Sequence, residues 1–168
     1  MYHADTLFEL DAPPRIALEH GLPLIVLSPL CGDMRWNIDT LLGLLDEIRA
    51  LHPIDSARIY ASGISIGGLA TWELALRRPD LFAAIAPICG TGQPYNAFRI
   101  SHIPTWIFHG AQDEVVPVSV SEEMAEALRA SGGEPFLTIY PDEGHRAWGR
   151  AYGNPDFWKW LHAQNAAV

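Results

Sequence analysis

Short unbroken apolar runs, separated by amphipathic segments, constrain this chain more than any other feature. Leu24-Ile25-Val26-Leu27-Ser28, Arg58-Ile59-Tyr60-Ala61-Ser62, Ala83 to Ile88, Thr105-Trp106-Ile107-Phe108 and Phe136-Leu137-Thr138-Ile139-Tyr140 read as five strands. They show little of the polar alternation of a strand with one wet face. Strands buried on both faces belong to parallel sheets covered by helices on either side. The segments between them are helical. Ile38, Leu41, Leu42, Leu45 and Ile48 recur at helical spacing behind an expected N-cap at Asn37. A small-residue helix is expected from about Ile66 to Arg77, ending before Pro79. Ser119-Val120-Ser121-Glu122 reads as a capping box opening a helix to about Ala130, which Gly132-Gly133 stops. A last helix is expected over Pro155 to His162. Strand–helix alternation predicts an α/β fold, a three-layer α/β/α sandwich on a mainly parallel sheet.

Composition narrows the function. The chain has 168 residues, 49% of them apolar and 18% charged, which suits a single domain over residues 1–168 with an atypical segment at 1–22. A formal charge of −9 with no basic run gives no footprint for a phosphate backbone, so nucleic acid is not expected as a partner. No apolar stretch approaches the roughly 20 residues of a spanning helix, so no membrane partner is expected. Met1-Tyr2-His3-Ala4-Asp5 lacks the features of a signal peptide, which makes the cytoplasm the default location. Cys31 and Cys89 are too few for a disulfide framework and lack metal-site spacing. They are expected to be buried free thiols, and no metal is expected.

In a parallel α/β sheet the chemistry sits outside the carboxyl ends of the strands. Three of those ends carry reactive groups. Gly63-Ile64-Ser65-Ile66-Gly67 fits G-x-S-x-G between a strand and a helix. Such a serine stands on a sharp turn where flanking side chains would collide, and glycine removes the collision. The turn aims the Ile66 N–H at the space beside the hydroxyl, where it suits an oxyanion. A serine hydroxyl needs a base to take its proton, and the base needs an acid to orient it. Asp113 follows the fourth strand and His145 the fifth, in the order Ser, Asp, His. Glu114, Asp142 and Glu143 compete for the acid position, the last two from the same short loop as His145. His109 ends a strand before the acid and is expected to hold the turn by hydrogen bonds. Trp36 and Trp148 lie on loops beside these ends and are candidates for the walls of a substrate pocket.

Taken together, the stretches LIVLSPLC (24–31), DSARIYASGISIGGLATW (55–72), FAAIAPICG (82–90), IPTWIFHGAQDEVVP (103–117) and YPDEGHRAW (140–148) resemble α/β-hydrolase esterases. The likeness is to the predicted peptidase, phospholipase/carboxylesterase and dienelactone hydrolase groups. It implies that Ser65, Asp113 and His145 are nucleophile, acid and base, that small-molecule carboxylic esters are cleaved through an acyl-enzyme, and that no cofactor is used. It also implies an α/β-hydrolase fold lacking its N-terminal strands, because no His-Gly-x-Gly-type oxyanion loop precedes Leu24. Loss of one oxyanion donor costs about 2.7–4 kcal/mol of transition-state stabilisation. In the family's sheet order the lost strand lies between the Leu24 and Arg58 strands. Those two are then expected either to pair directly or to leave an unpaired seam, which would favour a homo-oligomer. The alternatives are a peptidase or acyltransferase on the same site, and a non-catalytic hydrolase fragment.

Overall fold

The computed structural model describes residues 13–19, 21–32 and 35–166. Four parallel strands lie in the order β1-β2-β3-β4: β1 Tyr60–Ile64, β2 Ala84–Ile88, β3 Trp106–Gly110 and β4 Phe136–Tyr140. The helices are α1 Pro13–Glu19, α2 Ile38–Leu51, α3 Ile66–Arg77, α4 Ser119–Ala130, α5 Trp148–Tyr152 and α6 Pro155–His162. A 3-10 turn spans Pro94–Arg99.

Alternate residues of β2 face opposite layers. Ile85 joins Trp72 and Leu76 of α3 with Met124 and Leu128 of α4, and Leu42 and Leu45 of α2 lie against the same cluster. Ala84, Ala86 and Ile88 face Tyr152 of α5, Phe157, Trp158 and Leu161 of α6 and Ile16 of α1. All five residues of β2 are buried, as a central strand between two helical layers must be. The three-layer α/β architecture expected from the apolar runs is therefore the one observed.

Asn37 caps α2 as expected, its Oδ1 accepting the Thr40 N–H at 3.0 Å. The Gly132-Gly133 stop forms a Schellman ending. Gly132 takes φ +86, its N–H donates to the Arg129 carbonyl, and that of Gly133 donates to the Leu128 carbonyl at 2.9 Å.

Three expectations need correction. The Leu24–Ser28 run belongs to no strand, and it pairs with β1 no more than with any other strand. Leu24 packs on the core, whereas Ile25 and Leu27 stay 60% and 39% exposed. An apolar run needs a neighbouring ladder to become a strand, and among the described residues β1 has a strand partner on one side alone. The capping box at Ser119 does not form: Val118 occupies the cap position with helical dihedrals and no side chain caps the end. The backbone is already turning there, since Pro117 and Val118 carbonyls accept from Val120, Ser121 and Glu122. Cys89 is a buried free thiol as expected, whereas Cys31 is only half-buried, with its Sγ against the Arg35 carbonyl. Of the atypical segment at 1–22, residues 1–12 and 20 lie outside the described residues, and 13–19 form α1, a helix absent from the sequence expectation.

Candidate active site

Ile64 ends β1 and Ile66 opens α3, so a single residue must reverse the chain. Ser65 does so at φ 55, ψ −113, outside the regions open to an unstrained side-chain-bearing residue. Its N–H donates to the Ile88 carbonyl of β2 at 2.8 Å, which pins the turn to the sheet. The glycines make the close approach possible. A Cβ on Gly63 would lie 2.3 Å from the Gly67 carbonyl oxygen, and one on Gly68 would lie 2.8 Å from that of Ile88. Ile66 is the first residue of α3, so its N–H has no acceptor within the helix.

The loop after β3 carries Asp113, whose side chain is fully enclosed. Its Oδ1 accepts the N–H groups of Val115 and Val116 at 2.8 and 2.9 Å. Its Oδ2 accepts from His145 Nδ1, on the loop after β4, at 2.7 Å. Burial alone would favour the neutral acid. The Val116 amide, the His145 bond and the Val115 amide outweigh it and hold the carboxyl below its ordinary value. A carboxylate only accepts, so Nδ1 of His145 carries the proton and Nε2 presents a lone pair. Such a pair can take up a proton at Nε2 while the carboxylate stabilises the imidazolium.

Of the competing acids, Asp142 is engaged by Arg150 at 2.6 Å, Glu143 lies 3.8 Å from the same guanidinium, and Glu114 is exposed. His109 is fully buried, with Nε2 donating to the Val116 carbonyl at 2.9 Å and Nδ1 accepting from the Ser121 hydroxyl at 2.7 Å. It ties the Asp113 loop to α4, the holding role its strand-end position suggests.

The structure thus brings Asp113 and His145 into direct contact. Ser65 stands at the carboxyl end of β1, on the same rim of a parallel sheet. Trp36 lines a polar cleft of about 740 Å³ with Glu73 and Arg77 of α3 and with Gln93 and Asn96, and neither Ser65, Asp113 nor His145 lines it. Trp148 begins α5 and packs against the core beneath the Arg146 guanidinium, 5.4 Å from its ring centroid. From the sequence Cys89 is expected only to be a buried free thiol. Its sulfur, an Asp113 carboxylate oxygen and a His145 ring nitrogen lie within 4.8 Å of one another, a set that could hold a metal ion. The signal available was its place just beyond β2, between the ends that deliver Ser65 and Asp113.

The family described as Phospholipase/Carboxylesterase matches residues 36–154. The chain belongs to this family. A crystal structure of a thermostable esterase superposes with a TM-score of 0.71 at 37% identity, covering 76% of this chain and 37% of that one. A protein of Escherichia coli strain K12 provisionally named carboxymethylenebutenolidase is 30% identical over 121 residues, 67% of this chain and 42% of its own length. An acylaminoacyl peptidase of Pyrococcus horikoshii shares the fold at a TM-score of 0.66 and 20% identity, over 76% of this chain and 27% of its own. The chain therefore spans about two-fifths of the curated relative it matches. The α/β-hydrolase fold of these neighbours is the fold of this chain. Among the described residues, no helix is long and apolar enough to cross a membrane.

Proposed function

We propose that this chain is a serine hydrolase that cleaves small carboxylic esters through an acyl-enzyme. The observation that carries the reading is the 2.7 Å bond from His145 Nδ1 to a buried, ionised Asp113, on the sheet rim that also bears a strained Ser65. In this mechanism Nε2 of His145 takes the Ser65 proton as the hydroxyl oxygen attacks the ester carbonyl. Asp113 stabilises the imidazolium, and the Ile66 N–H donates to the oxyanion. His145 then protonates the departing alcohol. Water, activated by the same nitrogen, releases the acid and restores Ser65. No cofactor enters these steps.

The names of two relatives bear on the bond attacked. A butenolide is a cyclic ester, and a poly(3-hydroxyalkanoate) depolymerase of Paucimonas lemoignei, 43% identical over 47 residues, acts on a polyester. Trp148, three residues after His145 in the chain, is proposed as one wall for the acyl or alcohol group. Trp36 serves as a second wall only if its loop approaches the rim. The test is hydrolysis of a short p-nitrophenyl ester by the wild type and by Ser65→Ala. Turnover in the wild type alone supports the reading, and equal rates in the two contradict it.

The β1 edge, unpaired among the described residues, favours a second reading, a non-catalytic hydrolase fragment. A well-folded wild type that neither turns over esters nor reacts with a fluorophosphonate at Ser65 would establish it. The same edge leads us to propose self-association, since unpaired N–H and C=O groups of an edge strand pair readily with another chain.

A further inference from the structure

Cys89 is a nucleophilic, metal-ligating group that the proposed hydrolysis leaves unused. It lies one residue past β2 and is wholly buried. Its backbone is held at φ 49, and its N–H donates to the Phe108 carbonyl of β3 at 2.9 Å. The backbone is held at this point, and the sulfur lies within 4.8 Å of an Asp113 carboxylate oxygen and a His145 ring nitrogen. We propose that Cys89 Sγ, an Asp113 carboxylate oxygen and Nδ1 of His145 form an inhibitory site for a thiophilic divalent cation of the zinc class.

The ligand set suits such an ion: one thiolate, one carboxylate and one imidazole, with a fourth position left for water. Charge balance suits it as well. A buried dication is costly unless neutralised, and here thiolate and carboxylate cancel it. On binding, the metal–sulfur bond replaces the S–H bond, and the thiol proton leaves to solvent. The ion takes the Nδ1 lone pair, and the ring proton moves to Nε2, so no further proton is lost. In the absence of a cation the 2.7 Å bond between Asp113 and His145 is undisturbed. The His145 side chain is 22% exposed and provides the side of entry.

Inhibition follows from the tautomer. With its proton on Nε2, His145 is a donor toward Ser65 and can no longer accept the hydroxyl proton. This part of the proposal rests on the hydrolase reading above, whereas the binding part does not.

The experiment is titration of the folded wild type with Co²⁺, whose thiolate complexes absorb in the near ultraviolet. A sulfur-to-cobalt band is expected in the wild type, in Cys31→Ser and in Ser65→Ala, with one proton released per ion, and it is expected to vanish in Cys89→Ser. Zn²⁺ should displace the cobalt and stop ester turnover in the wild type, reversibly on chelation. Cys89→Ser, compared with its own metal-free rate, should be insensitive to Zn²⁺. Absence of the band in the folded wild type, its persistence in Cys89→Ser, or equal Zn²⁺ inhibition of the two proteins overturns the proposal. Failure of the hydrolase reading is visible separately, as a wild type that binds cobalt but turns over no ester even in its metal-free form.

Discussion

At Asp113 two opposing effects meet. Enclosure disfavours the charge, and two backbone amides with the His145 bond restore it. Because the folded-state pKa lies below the ordinary 3.8, the carboxylate adds stability that is complete above that value. The contribution is lost as the pH falls through the lower folded-state value. Thermal melts between about pH 5 and pH 3 should show a falling midpoint in the wild type, and Asp113→Asn should flatten that slope. The same variant should lower turnover of a p-nitrophenyl ester by the order of 10⁴-fold, since an amide no longer holds the productive tautomer; a change below about tenfold would place the acid elsewhere. The candidate residues were legible because strand ends in a parallel sheet are local features of sequence, and a serine, an aspartate and a histidine fall on three of these ends in the order Ser, Asp, His. Cys89 was not legible as their neighbour. Its nearness to Asp113 and His145 exists only once β2, β3 and β4 lie side by side.

The element that decides the site is the β1–α3 turn. Gly63 and Gly67 bring strand and helix so close that a methyl group at Gly63 has no room. Gly63→Ala should destabilise the protein by about 1–3 kcal/mol or more by overpacking, measured as a fall in the denaturant midpoint. At the other end of the fold, Gly132 sits at φ +86 in the ending of α4 with nothing near its missing Cβ. Gly132→Ala should cost about 1–2 kcal/mol, from backbone strain alone. A Gly63→Ala variant as stable as the wild type would contradict the steric account of Gly63. The α2 cap and the α4 stop were legible because Asn37, Gly132 and Gly133 act on backbone groups a few residues away. The Ser119 capping box was not, because the chain reaches it already turned at Pro117 and Val118. A cap has no role where the helix has already begun.

For the molecule as a whole, the sheet formed by the described residues ends at β1, and the strand that bears the nucleophile candidate is also an edge. Ser62 of β1 is exposed, although its Oγ bonds the Ala86 carbonyl and the buried Tyr152 hydroxyl. Beside the sheet, Ile25, Leu27 and Leu30 keep apolar surface in water. Light scattering on a sizing column should show self-association that Ile25→Lys with Leu27→Lys reduces while helical content is kept; a wild-type monomer at all concentrations would contradict it. The Leu24–Ser28 run is where sequence and structure part, because a strand is a property of a pair and the run has no ladder beside it. The most direct measurement on the central claim is mass spectrometry of the folded protein after reaction with a fluorophosphonate. The account predicts one adduct, on the peptide bearing Ser65, whose formation slows sharply in His145→Ala. A folded wild type with no adduct, or with one formed equally fast without His145, would contradict it.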